Sequence, residues 1–371
     1  MRTRGAVVTT VPGRYEVVDL ELDTPRRGEV LVQMAAAGLC HSDDHVATGD
    51  MPVRHLPMCG GHEGAGVVEW VGEGVEGIVA GDHVVFSFLP ICGECHWCST
   101  GHQNLCRLGA GLADGSRVGA PGSYRMNLDG HPVAQLNGLA AFSEYTTVDV
   151  RSVVKIERDI PLDVACLVGC GVITGWGSAV TSGGVRPGDV VIVMGVGGIG
   201  INAVQGAAHA GAAEVIAVDP VEFKRKVSLD FGATSAFDTM ADATSYARSL
   251  TDGQGADCTV VTVGVTTGEH IAAGLTSIRK NGTLVVVGVG NVKSVGIPIS
   301  AGELVLYQKR IQGSLFGAAN PRADIPRFLN MYRRGALKLD EIITARYRLD
   351  EVAMGYTDMH SGKNLRGIIT F

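Results

Sequence analysis

The chain has 371 residues, which suggests about two domains. Hydrophobic residues make up 46% and charged residues 19%, a balance that excludes a disordered or collagen-like chain. The net charge is −7 with no basic tract, so neither nucleic acid nor an anionic membrane is expected as a main partner.

Met1-Arg2-Thr3-Arg4 is basic, but Thr9, Thr10, Pro12 and Gly13 follow Val8 too soon for a secretory apolar core. Residues 1 to 155 read as short strands broken by turns, clearest at 29–34, 66–71 and 82–86, with few helices. The pattern changes after residue 172. Continuous apolar strands at 190–194, 214–218, 256–263 and 282–287 alternate with helical stretches, including 222–231. That alternation indicates an α/β fold with a doubly wound parallel sheet. The tail from residue 318 is mixed, with a helix at 325–334 and a last strand at 366–371. The uncharged run 190–213 is long enough for a membrane helix. Gly195, Gly197, Gly198 and Gly200 in its first half, with Asn202, Gln205 and His209 in its second, fit a strand, a glycine turn and a helix better. No membrane span is expected, and the protein is expected to be soluble and cytoplasmic.

Gly195-Val196-Gly197-Gly198-Ile199-Gly200 follows an apolar strand and opens a helix, and Asp219 lies nineteen residues after Gly200. This context points to a dinucleotide site rather than an ordinary glycine turn. Gly195 permits the tight turn, Gly197 lets the backbone approach a pyrophosphate, and Gly200 packs helix on strand. Asp219 is expected to accept from the adenosine ribose and to repel a 2′-phosphate, favouring NAD over NADP. Lys224 is a further donor near that ribose.

Nine cysteines in such a chain are seldom disulfides. Cys92, Cys95, Cys98 and Cys106 fall within fifteen residues, a spacing that lets one loop wrap a tetrahedral Zn²⁺. Four thiolates leave no open position, so such a site is structural; an iron–sulfur cluster and a disulfide pair are the alternatives. Cys40, His62 and Cys170 stand apart, each beside glycines. Together they offer a Cys₂His set with one coordination position open, as a Lewis-acid site needs. Singly, each reads equally as a buried thiol or a core histidine. Cys59, Cys166 and Cys258 read as small buried hydrophobes.

The sequence Gly60-Gly61-His62-Glu63-Gly64-Ala65-Gly66, the four-cysteine loop, Val168-Gly169-Cys170-Gly171 and the Gly195 turn with Asp219 come in one order. In that order the chain resembles the zinc-dependent medium-chain alcohol dehydrogenases from end to end. Residues 99–106, 218–225 and 316–326 are similar to a narrower subgroup, the nitrosodimethylaniline-dependent nicotinoproteins. In these, NAD stays bound and an external acceptor reoxidises it.

The resemblance implies a GroES-like catalytic domain over residues 1–171 and 318–371, with a Rossmann domain at 172–317 between. It makes Cys40, His62 and Cys170 the catalytic zinc ligands, with Glu63 beside the metal. Ser42 would hydrogen-bond the alcohol, and His45 would end a proton relay running through the nicotinamide ribose. Thr174, Ile199, Val287 and Val289 match positions around the nicotinamide, with Gly198 in the glycine turn. Arg366 and His41 match pyrophosphate contacts, although many relatives carry Arg where His41 stands. Phe88 and Met51 match pocket walls. The implied activity is reversible hydride transfer between a primary or similar alcohol or aldehyde and NAD, with two zincs per chain, in a homodimer or homotetramer. A thiol-linked formaldehyde dehydrogenase is the competing enzyme, for which Arg107, Arg117, Arg125 and His131 could form a cationic pocket mouth. A non-enzymatic zinc- and nucleotide-binding protein is the reading from another class.

Overall fold

The computed structural model describes residues 1–371 and divides into two compact units, Met1–Cys170 with Asn320–Phe371, and Gly171–Ala319.

The first unit is mostly β. The strands Arg2–Val8, Glu16–Leu22, Met126–Leu128, His131–Gln135 and Met58–Cys59 close a small barrel. Beside it runs a sheet ordered Val153–Ile156, His83–Phe86, Glu63–Val71, Glu29–Gly38, Arg366–Thr370 and Ile343–Tyr347, with Tyr145–Asp149 also pairing Glu29–Gly38. Val30, Val32, Phe86, Phe142 and Val148 fill its core.

The register of three strands matters most. Gly38 on the central strand pairs with Glu63 on one side and Ile368 on the other. The strand Glu63–Val71 starts three residues before the sequence suggested. Gly64 and Gly66 look like turn residues, but they stand where neighbours come close. A Cβ on Gly64 would lie 2.7 Å from Met34 Cε and 2.8 Å from Phe86 Cδ2.

Among the few helices of this part is His41–Thr48. Its His-Ser-Asp-Asp-His start lacks an apolar stripe, and Asp43, Asp44 and His45 are buried instead. The helix Pro321–Arg333 begins four residues earlier than expected, because proline is well suited to a first helical position.

The second unit carries a six-stranded parallel sheet ordered Ser235–Phe237, Glu214–Val218, Val190–Met194, Ala256–Val261, Ile278–Val286 and Arg310–Gly313. In chain order this is 3-2-1-4-5-6, the Rossmann arrangement. The central strands are buried along their length, as parallel strands covered on both faces must be. The run 190–213 forms the strand Val190–Met194, a glycine turn and the helix Gly200–His209. No single helix is long and apolar enough to cross a membrane.

Candidate functional site

The four-cysteine loop brings its sulfurs together. Cys92 Sγ lies 3.6 Å from Cys106 Sγ and 3.9 Å from Cys98 Sγ, and Cys95 Sγ lies 4.0 Å from Cys106 Sγ. A tetrahedron with Zn–S of about 2.3 Å has edges of about 3.8 Å, so the sulfurs already stand at its corners. None is disulfide-bonded. Backbone amides of Cys92 and Cys95 donate to sulfurs of the loop, an arrangement that suits thiolates. Hydrogen bonds from backbone amides draw the Cys95 thiol down to about 6.

In the first unit, Cys40, His62, Glu63 and Cys170 offer one ligand atom each, all within 4.8 Å of one another and all buried. Three separate pieces of chain converge here. Cys40 caps the helix His41–Thr48, His62 precedes the strand Glu63–Val71, and Cys170 ends the tight turn Cys166–Gly169. The hydrogen bond between the two sulfurs holds Cys40 well below the usual thiol range and pushes Cys170 up. Burial works to lower the His62 imidazole, yet Asp43 and Cys40 outweigh it and hold it well above its usual value. Soft donors that must otherwise share protons in a buried site fit a divalent cation, which displaces those protons.

Two carboxylates support the donors from behind. Asp43 Oδ2 lies 3.0 Å from His62 Nδ1, while Asp43 Oδ1 accepts the Gly61 N–H at 2.8 Å. With Nδ1 occupied, Nε2 is the nitrogen left for a metal. Gly61 has φ +88, and a Cβ there would run into Phe142. Glu63 is ion-paired with Arg366 across Gly38. Its Oε1 has no hydrogen-bond partner and is buried, and burial, opposed by Arg366, pushes the carboxyl up to about 7. Arg366, expected at a pyrophosphate, is thus held by Glu63, with its Nε buried and unpartnered. Asp43 and the Glu63–Arg366 pair were missing from the sequence reading. Asp43 looks like a helix-start acid, and Glu63 and Arg366 are 303 residues apart.

Ser42 Oγ lies 3.7 Å from Cys40 Sγ. His45, one turn along the same helix, is buried, with Nδ1 3.2 Å from Asp50 Oδ2. Burial pushes the His41 imidazole down, so it brings no positive charge near neutral pH. Phe88 meets the His62 ring edge-on at 5.6 Å between centroids, and Met51 is half-buried just past the helix.

In the second unit each glycine has a separate reason. Gly195 sits at φ +91, and a Cβ there would lie 2.9 Å from the Val263 amide nitrogen. A Cβ on Gly200 would overlap the Gly195 carbonyl and lie 2.8 Å from Thr262 Oγ1. At Gly197 it would meet nothing, leaving the backbone open to a ligand. Gly198 and Ile199 complete the turn into the helix. Asp219 accepts the N–H groups of Val196 at 2.8 Å and Val221 at 2.9 Å, so it braces the turn, and each oxygen keeps a second lone pair. Arg225, which the sequence reading passed over, donates to the Asp219 carbonyl at 2.7 Å, while Lys224 is half-buried beside it. Thr174 Oγ1 is buried without a partner, and the helix Gly171–Gly177 packs so closely on Ile199 that a Cβ on Gly175 would overlap the Ile199 carbonyl. Val287 donates its N–H to Val261, and Val289 is exposed.

The proposed cationic mouth does not form. Arg117 and Arg125 are buried in a network with Glu29, Asp23 and Gln135: Arg125 Nε lies 2.9 Å from Glu29 Oε1, and Arg117 Nη2 lies 2.7 Å from Asp23 Oδ2. Two guanidiniums around one buried carboxylate are a structural cluster. Arg107 pairs with Glu94 at 2.8 Å, and His131 is exposed at the start of a hairpin strand.

Two family models match the chain: the alcohol dehydrogenase GroES-like domain over residues 26–158, and the zinc-binding dehydrogenase over 198–334. An NDMA-dependent alcohol dehydrogenase from Amycolatopsis methanolica is 50% identical over 370 residues, covering 100% of this chain and 99% of that protein. An S-(hydroxymethyl)glutathione dehydrogenase from Komagataella pastoris is 35% identical, covering 100% and 98%. The crystal structure of benzyl alcohol dehydrogenase from Acinetobacter calcoaceticus superposes with TM-score 0.91 at 28% identity, covering 100% and 99%.

Proposed function

The chain belongs to the zinc-dependent medium-chain alcohol dehydrogenase family, and on that premise we propose that Cys40, His62 and Cys170 hold its catalytic zinc. It is an oxidoreductase acting on CH–OH donors, with zinc and NAD as cofactors. The observation that carries the ligand assignment is the convergence of these buried donors within 4.8 Å. Cys92, Cys95, Cys98 and Cys106 hold the second, structural zinc, and the turn Gly195–Gly200 with Asp219 holds NAD. Zinc, when bound, supplies Lewis acidity that makes a substrate hydroxyl more acidic and polarises a carbonyl in reverse.

The protein's own residues do the rest. Asp43 keeps His62 in the tautomer that presents Nε2. Arg366 keeps Glu63 close behind the donors without letting it become a loose charge. Ser42 takes the hydrogen bond of the alcohol O–H, and its proton ends on His45. NAD⁺, held by the turn Gly195–Gly200 and Asp219, would supply the hydride acceptor for alcohol oxidation. Phe88, edge-on to the His62 ring, and Met51 would offer apolar surface to the alcohol's carbon.

NAD stays bound through turnover and an external acceptor reoxidises it, a reading supported by the half-identical NDMA-dependent relative. Protein purified without added cofactor and dialysed exhaustively is expected to keep one nicotinamide per chain and to oxidise alcohol only when nitrosodimethylaniline is present. Loss of the nucleotide on dialysis, with activity restored by free NAD alone, overturns this point. A homodimer is supported by the exposed Val295, Val305 and Leu306 and by the sheet edge at Arg310–Gly313.

A further inference from the structure

His45 Nδ1 meets a carboxylate from the segment that follows its own helix. The helix His41–Thr48 stops at Gly49, whose left-handed φ of 89 turns the chain back on itself. The N–H groups of Gly49 and Met51 both donate to the His45 carbonyl at 3.1 Å. The fold-back brings Asp50 Oδ2 to 3.2 Å from His45 Nδ1, and Thr48 Oγ1 donates to the same oxygen at 3.1 Å. The His45 side chain is 3% exposed and that of Asp50 is 29% exposed. The other acidic neighbour, Asp44, is taken by His360 at 2.7 Å, and the His41 ring lies 6.3 Å from the His45 ring.

An ionised carboxylate only accepts, so Nδ1 carries the hydrogen in this contact and the ring lone pair lies on Nε2. An imidazole so oriented takes a proton at Nε2, and the resulting cation faces a carboxylate that is partly open to water. We propose that Asp50 is a positioning residue for alcohol oxidation: it fixes the tautomer and orientation of His45 and balances the charge when His45 takes the substrate's proton. The proposal rests on the alcohol dehydrogenase reading above. In the step, the alcohol O–H bond breaks and its proton passes to His45 Nε2. The C–H bond breaks and its electron pair goes with hydrogen to NAD⁺, the C=O bond forms, and His45 then loses one proton to water.

The test uses the holoenzyme with zinc and NAD, following reduction of the nicotinamide by alcohol in a single turnover. Asp50→Asn is expected to slow this step about tenfold or more, within the roughly 10²–10⁴-fold that a positioned proton acceptor contributes. KM is expected to stay within about twofold, because the interaction lost matters to the step and not to binding. Asp50→Glu is expected to recover most of the rate. In a His45→Gln background, Asp50→Asn is expected to add less than about twofold, since the two residues act as one unit. Zinc content serves as the folding control, expected unchanged in every variant. A wild-type rate in Asp50→Asn, or an effect that persists undiminished without His45, overturns the proposal. Failure of the underlying reading is distinct: there the wild-type holoenzyme itself reduces no nicotinamide with any alcohol.

Discussion

Gly38→Ala tests how closely the Glu63–Arg366 pair is packed behind the metal donors. Gly38 lies between Glu63 and the strand that carries Arg366, at a backbone angle any residue adopts, so only space opposes a side chain. A Cβ there would overlap Glu63 Oε2 and lie 2.8 Å from Arg366 Nη2, well inside ordinary contact distance. Neither partner can swing into water, because the side chains are 0% and 5% exposed. The methyl group therefore crowds a buried ion pair, an overpacking that costs about 1–3 kcal/mol. Gly111 is the control, since a Cβ there meets nothing within 4 Å. Urea unfolding of the two variants and wild type, each loaded with zinc, measures the difference directly. Gly111→Ala should stay within about 0.5 kcal/mol of wild type, as surface substitutions do. If Gly38→Ala is equally silent, the Glu63–Arg366 pair does not brace this site and the reasoning from strand register fails.

Asp43→Asn should weaken the catalytic metal about 10–100-fold while leaving the four-cysteine metal in place, as chelator competition would reveal. Equal loss from both sites contradicts the support drawn from His62 Nδ1. Cys170→Ser should retain one zinc per chain and lose nearly all alcohol oxidation, whereas full activity removes Cys170 from the ligand set. Burial pushes the Glu29 carboxyl up, but Arg125 and Arg117 outweigh it and hold it below the usual range. Its folded value lies below its unfolded one, so its stabilisation is complete above about pH 4.3 and is lost as pH falls through the folded value. Glu29→Gln should flatten that acid limb in urea midpoints taken across pH, and should cost about 3–5 kcal/mol near neutrality by orphaning two buried guanidiniums. An unchanged acid limb contradicts the pairing.

What the sequence made legible was chemistry held within short spans. The four cysteines share one loop, and the glycine turn with Asp219 keeps strand, turn and helix contiguous, so spacing alone carries the geometry. The long apolar strands of the parallel sheet were legible for the same reason. Three kinds of feature were not. Asp43 and Asp50 act through backbone bends at Gly61 and Gly49 that composition does not reveal. Glu63 and Arg366 meet only because Gly38 pairs with both strands. Arg117 and Arg125 read as exposed cations near a pocket, but Glu29 draws both into the core. Each miss involves a polar group whose partner is set by a backbone bend or by strand pairing, where side-chain pattern says nothing about contact.

Diffraction from crystals of the purified protein, recorded on both sides of the zinc absorption edge, tests the catalytic ligand set most directly. Two anomalous peaks per chain are predicted, one amid the sulfurs of Cys92, Cys95, Cys98 and Cys106 and one bounded by Cys40, His62 and Cys170. A single peak at the cysteine loop, or a second one whose protein ligands exclude either Cys40 or Cys170, contradicts the account.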